Sequence, residues 1–328
     1  GVDIKTNMRL GKDFTLDGLK EEGYDAVFMG VGAPECMGLG VVGEDAENVV
    51  LAVPFLKEYN IRGSVPVGKK VVIIGGGNAA IDAARTALRL DAEDVTIIYR
   101  RSQEQMPAYA EEIEEALHEG VKLMTLTQPL EVLKNEKGAV KGVTCTPMTL
   151  GDFDRSGRRR AQEGEGKEFT LEADQVIVAI GQRINAKKLI GKADVKLKND
   201  GFIYTDPVNG QTTEEWLFAG GDAATGPYSV VGAIGQGEKA AVGIDTYLTG
   251  EDHAFWREEK VVDTDYDPDA DPVPYPREKM PTIEVERRRA NFDEVERPWV
   301  ESVAIRQCKR CLRCDYGKTP VEKEKNNA

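Results

Sequence analysis

The stretch Val71-Val72-Ile73-Ile74-Gly75-Gly76-Gly77-Asn78-Ala79-Ala80 decides the fold. Residues 69–74 form a largely apolar, β-branched run without alternation, the pattern of a parallel strand buried on both faces. Residues 78–90 then carry helical spacing, and residues 95–99 read as the next strand, so the unit is β-α-β. Gly75, Gly77 and Ala80 fit G-x-G-x-x-A at the strand-to-helix turn. In that pattern the first glycine makes the tight turn, the second lets backbone approach a pyrophosphate, and a small third residue lets helix and strand pack closely. The N–H groups at the helix start, around Asn78 and Ala79, lie at the positive end of the helix dipole and can hold phosphates. A dinucleotide site is therefore expected here.

The second strand of the unit ends at Tyr99-Arg100-Arg101, where an NAD site usually offers a carboxylate to the ribose 2′-hydroxyl. Two guanidiniums instead suit a 2′-phosphate, because arginine binds phosphate oxygens bidentately. NADP(H) is the expected nucleotide, with NAD(H) left open because a neighbouring loop could still supply a carboxylate.

Outward from this unit, residues 3–7 and 24–29 read as strands, the latter running into Gly30-Val31-Gly32-Ala33. A glutamate-rich helix is expected at residues 109–118, with strands at 122–126 and 140–148. Residues 151–167 are a polar, glycine-rich connection, and Arg158-Arg159-Arg160 within it read as a solvated hairpin tip with no assigned role. A buried-type strand at residues 174–180 ends in Gly181, much as the earlier strand ends near Gly32, which hints at two similar nucleotide-binding folds. Residues 215–218 lead into Ala219-Gly220-Gly221-Asp222 and a helix over residues 229–248, in which Gly232, Gly235 and Gly237 leave the surface bare for something flat. There the Asp222 carboxylate could accept a hydrogen bond from a ribityl hydroxyl, and the N–H groups near Val230 and Val231 could stabilise negative charge on a reduced flavin. The alternative is that Asp222 caps the helix and the glycines serve close packing.

The bulk properties narrow the class. A chain of 328 residues is long enough for two domains and an extra arm, and its net charge of −14 argues against binding nucleic acid. No apolar run reaches the roughly 20 residues of a membrane span. No targeting segment is evident, so a cytoplasmic location is expected. The five cysteines do not form a secreted disulfide framework. Cys308, Cys311 and Cys314 instead have C-x₂-C-x₂-C spacing, which lets three thiolates converge on one [4Fe-4S] cluster, with zinc or free thiols as the alternative. A fourth ligand is open between Cys36, Cys145 and a source outside the chain. The two histidines, His118 and His253, lie outside every glycine motif, which suits hydride transfer because that reaction needs alignment rather than acid–base groups.

The sequence resembles the small (β) subunit of glutamate synthase and its relatives. The stretches that carry the resemblance are Gly23 to Val27, Gly30 to Ala33, Gly43-Glu44-Asp45, Gly75 to Ala84, Tyr99 to Ser102 with Met106-Pro107-Ala108, and Phe218 to Asp222. The resemblance implies an α/β chain of two nested Rossmann-like dinucleotide-binding domains, an FAD domain interrupted by an NAD(P)H domain, with an irregular C-terminal arm. On that basis residues 1–64 and 191–250 belong to the FAD domain, 65–190 to the NAD(P)H domain and 251–328 to the arm. It implies hydride transfer between nicotinamide and flavin, with Gly75, Gly77, Asn78, Ala79, Arg100 and Arg101 at the pyridine nucleotide and Asp222, Val230 and Val231 at FAD. The family's first glycine motif and its cysteine-rich iron–sulfur region have no counterpart ahead of Gly1. Other redox subunits, or a preceding region carrying iron–sulfur clusters, are thus expected as partners. Some flavoprotein relatives also show a run similar to residues 310–315. The expected function is an NAD(P)H-oxidising module feeding iron–sulfur carriers; the competing one is a nucleotide-binding structural or regulatory subunit without flavin chemistry.

Overall fold

A computed structural model describes residues 1–154, 157–251, 253 and 276–310. The chain divides into two compact units, Gly1–His253 and Ala254–Ala328.

The first unit is organised by a five-stranded parallel sheet in the order Val49–Leu51, Gln175–Val178, Lys70–Ile74, Asp94–Ile98, Lys122–Met124. Alternate side chains of the central strand explain why its run reads as continuously apolar. Val71 and Ile73 pack under helices Ala52–Arg62, Asn78–Arg89 and Ala110–His118, together with Phe55, Ile81 and Ile113. Val72 and Ile74 point to the opposite face, against Val132, Val143 and Cys145 of an antiparallel sheet. That second sheet runs Phe169–Glu172, Val140–Phe153, Thr127–Lys134, and Arg159–Glu163 pairs with the far end of Val140–Phe153. The two central strands, Lys70–Ile74 and Gln175–Val178, therefore bury both faces.

The helix pair Asn78–Arg89 and Ala110–His118 is tied by a buried ion network. The Glu119 carboxylate accepts from Arg85 Nη2 at 2.8 Å and from Arg89 Nη1 at 2.7 Å. Burial pushes the Glu119 carboxyl upward, but the two guanidiniums outweigh it and hold it below the usual carboxylate range.

A smaller core collects Leu16, Met29, Ala186, Ile190, Phe202, Ile203, Trp216 and Leu217. It surrounds a parallel pair of strands, Val27–Met29 and Leu217–Ala219, followed by the 20-residue helix Val230–Thr249. This core shifts both expected inner boundaries. Strand Val49–Leu51 and helix Ala52–Arg62, assigned by sequence to the first part of the FAD domain, belong to the five-stranded sheet, because Val50 pairs with Ile177. In turn Ile184, Ala186 and Ile190, assigned to the NAD(P)H domain, pack in the smaller core. Two short antiparallel strands, Glu35–Cys36 and Gln182–Arg183, form the crossover between the two halves.

The expected strand at residues 3–7 does not form: Asn7 turns left-handed at φ 58°, and Val2 and Ile4 remain exposed. Within the second unit the described part is less irregular than expected. It holds helices Val285–Arg289 and Glu301–Cys308, a bridge between Thr282 and Glu296, and a Trp299 Nε1 hydrogen bond to Lys279 O at 3.1 Å.

Candidate functional site

The glycine turn is built as the sequence requires. Gly75 has φ 145°, and a Cβ there would run into the carbonyl of Ala179, the residue following the neighbouring strand. A Cβ on Gly76 would meet Tyr99 Cδ2 at 2.6 Å. Gly77 differs: its φ is −92°, and the nearest atom to a Cβ is Pro107 Cγ at 3.8 Å, so nothing in the fold itself demands glycine here. Gly77 caps helix Asn78–Arg89 without any side-chain hydrogen bond, which leaves the helix start free to receive an external anion. Ala80 is fully buried between helix and sheet. Asn78 and Ala79 sit on the open first turn, and Asn78 Oδ1 accepts from Tyr109 N at 3.1 Å. With Gly76 O accepting from Ala108 N at 3.1 Å, this holds the Met106-Pro107-Ala108 segment beside the turn. The residues present fit a bound pyrophosphate.

The arginine pair separates. Arg100 is exposed at the end of strand Asp94–Ile98 and suits an anion at the ribose edge. Arg101, expected to share that anion, is only 7% exposed and is engaged elsewhere: Nε donates to Arg159 O at 2.8 Å and Nη2 meets Asp154 Oδ2 at 3.1 Å. The reason is long range. The hairpin carrying Asp154 and Arg159 folds back over the strand end and captures the second guanidinium, so a role for Arg101 on the 2′-phosphate is corrected to a role on the hairpin.

The second glycine region also has the form of a nucleotide edge. Gly221 takes φ 62°, its N–H donating to Gln236 Oε1 at 2.8 Å, and Gly220 is confined between Phe28 and Gln236. Asp222 opens the short helix Asp222–Thr225, and its Oδ1 accepts from Tyr228 N at 3.3 Å. Asp222 therefore does not cap the long helix. Ser229 does, through Gly232 N, a cap that leaves the N–H groups of Val230 and Val231 unused. Val230 and Val231 are 77% and 80% exposed, and Tyr228 and Ile234 extend the same apolar surface. Gly235 and Gly237 have open space where a side chain would stand. Gly32 has φ 69° in an open turn, while Gly181 lies at the crossover with its carbonyl accepting from Met37 N at 3.0 Å. A flat, partly polar group fits this surface.

Of the cysteines, Cys308 is exposed at the last position of helix Glu301–Cys308, whereas Cys311 and Cys314 lie outside the described residues. Cys145, one of the open alternatives for a fourth ligand, is buried in the sheet core, where burial pushes its thiol up to about 12. No three potential metal ligands meet among the described residues. Likewise no described helix is long and apolar enough to cross a membrane.

Comparison with known proteins agrees with this geometry. Residues 3–237 match the family described as pyridine nucleotide-disulphide oxidoreductase. The beta subunit of NADP(+)-dependent formate dehydrogenase from Moorella thermoacetica is 40% identical, over 96% of this chain and 45% of that protein. The small chain of glutamate synthase [NADPH] from Escherichia coli is 39% identical, over 76% of this chain and 55% of its own length. The chain spans about half the length of the curated relatives it matches. Among solved structures, Mycobacterium tuberculosis FprA in complex with NADPH superposes with a TM-score of 0.62 at 21% identity, over 74% of this chain and 68% of that one, which establishes the shared fold. The two dinucleotide folds and the resemblance to the glutamate synthase small subunit are thereby borne out, and the chain belongs to the pyridine nucleotide-disulphide oxidoreductase family of enzymes.

Proposed function

We propose that this chain is the pyridine-nucleotide-oxidising part of a larger flavin and iron–sulfur enzyme, taking hydride from NADPH and passing electrons on to iron–sulfur centres. The observation that carries the reading is the helix start at Gly77, which no side chain caps, together with an exposed Arg100 just past the end of the second strand. Gly75 and Gly77 shape the turn, Asn78 and Ala79 present N–H groups to the pyrophosphate, Ala80 seats the helix, and Arg100 takes the 2′-phosphate. Curated relatives named for NADP(+) or NADPH support this choice of nucleotide.

On the other half, Gly32, Gly181 and Gly221 keep backbone low along the flavin edge, and Asp222 accepts from a ribityl hydroxyl. The N–H groups of Val230 and Val231 stabilise negative charge beside the ring. When bound, FAD supplies the two-electron acceptor that can release its electrons singly. Cys308, Cys311 and Cys314 hold a [4Fe-4S] cluster in this reading, and Cys311→Ser is expected to lower the iron content of the isolated protein. Hydride transfer demands no general base, in keeping with exposed His118 and with His253 engaged by Asp245 at 2.8 Å.

The decisive experiment uses the full-length native polypeptide with its partners. Anaerobic addition of NADPH is expected to bleach the flavin absorbance, and to do so at lower concentration than NADH. A flavin spectrum indifferent to both nucleotides would overturn the proposal.

A further inference from the structure

The connection between strand Asp94–Ile98 and helix Ala110–His118 is held against the glycine turn more firmly than a surface loop needs. It leaves the strand through Arg100 and comes back to Asn78, so it runs from the ribose edge of the nucleotide unit to its helix start. Three contacts fix it on the way. Tyr99 is 8% exposed with its ring against Gly76, and its hydroxyl donates to Gln105 O at 2.9 Å. Ala108 N donates to Gly76 O, and Tyr109 N to Asn78 Oδ1, each at 3.1 Å. Met106 and Ala108 are buried in the core under the helices, while Pro107 between them is exposed. Pro107 Cγ stands 3.8 Å from the point that a Gly77 Cβ would occupy, in van der Waals contact with the ground a pyrophosphate would cover.

Two physical effects follow from that placement. An apolar ring beside the helix start keeps water from one side of a bound anion, and N–H bonds to an anion strengthen where water is excluded. A connection already ordered before the ligand arrives also spares the binding step the entropy of ordering it.

We propose that residues 102–109 form a fixed wall along the adenosine half of the nucleotide, with Pro107 against the phosphates and with Tyr99 and Asn78 as the positioning residues that hold it there. The inference rests on the reading of a pyridine nucleotide at Gly77 and divides the work of recognising it. Arg100 selects the 2′-phosphate, and the wall sets affinity for the adenosine 5′-phosphate that NADP+ and NAD+ share.

The test titrates the full-length native polypeptide with NADP+, NAD+ and 2′,5′-ADP, well below the melting temperature. Tyr99→Phe keeps the ring on Gly76 and removes only the hydroxyl that holds Gln105 O. It is expected to weaken all three ligands by the same factor, about two- to tenfold, the range of one neutral hydrogen bond. Pro107→Gly, an exposed change that removes the ring and loosens the backbone, is expected to weaken all three alike as well. Parent affinity in either variant overturns the proposal. So does a loss confined to NADP+ and 2′,5′-ADP, which would put the segment at the 2′-phosphate, or a loss in Tyr99→Phe that appears only on approach to the melt, which would make the hydroxyl merely structural. A wild-type protein that binds neither dinucleotide would instead overturn the reading on which the proposal rests.

Discussion

Gly75 and Gly77, two positions apart, should respond in opposite ways to the same added methyl group, and the contrast tests whether the turn is a binding site or only a turn. At Gly75 an alanine would combine a φ of 145° with a collision against the Ala179 carbonyl, whose peptide is fixed by Ala179 N donating to Ile74 O at 2.8 Å. Backbone strain of about 1–3 kcal/mol and overpacking of about 1–3 kcal/mol together give a loss of about 2–6 kcal/mol, a large share of an ordinary domain's stability. At Gly77 the backbone already suits any residue and the methyl would meet Pro107 Cγ at an ordinary 3.8 Å. Stability should therefore change by no more than about 1 kcal/mol. The methyl would nevertheless stand where the pyrophosphate approaches the helix start. Losing one charge-assisted hydrogen bond of about 1.5–3 kcal/mol corresponds to a drop in affinity of about 10- to 150-fold. Calorimetric melting and titration with NADP+ on the full-length protein measure both quantities. If Gly77→Ala binds NADP+ as tightly as the parent, or loses stability in parallel with Gly75→Ala, the phosphate-cradle reasoning is refuted.

Glu119→Gln should destabilise the protein by about 3 kcal/mol, because it leaves Arg85 and Arg89 facing a buried neutral amide, with NADP+ affinity unchanged in titrations at a temperature below the melt. Since the Glu119 carboxyl is held below its ordinary value of 4.5, its stabilisation is complete above that pH and is lost as pH falls further. The parent's melting temperature should accordingly drop more steeply than that of Glu119→Gln only as the pH falls below 4.5, and in parallel with it between neutral pH and 4.5. Asp222→Ala should weaken FAD retention about tenfold or more by removing a charged acceptor, measured as free flavin after gel filtration, while NADP+ binding persists. Cys145, with its thiol raised to about 12, should resist alkylation at pH 8 in the native protein and be modified only after unfolding, as read by mass spectrometry.

What could be read from sequence follows from how local the cause is. The strand at Lys70–Ile74, the turn and helix Asn78–Arg89 are legible because burial on both faces, a left-handed glycine and a helix start are all dictated within about a dozen neighbouring residues. Arg100 and Arg101 look alike in sequence, yet their fates diverge because Asp154 and Arg159 arrive from more than fifty residues away. The same holds for strand Val49–Leu51, whose partner Gln175–Val178 lies beyond the entire intervening nucleotide unit. Only the triplet Arg158-Arg159-Arg160 offered a signal, and a basic turn carries no mark of what it will fold against.

The two halves of the first unit also differ in a way that bears on how hydride transfer is organised. The five-stranded sheet is covered on one face by helices and on the other by the antiparallel sheet, so the pyrophosphate turn rests on a scaffold buried from both sides. The flavin half rests on a two-stranded parallel pair, and Phe28, Val31, Tyr228, Val230, Val231 and Ile234 remain open to solvent around it. Two strands alone give little independent stability, and a contiguous apolar surface of this kind is normally covered in a working protein. Covering it should therefore tighten flavin binding and align the ring for transfer without altering the preference between NADP+ and NAD+, a division of labour that follows from where the core is complete and where it is open.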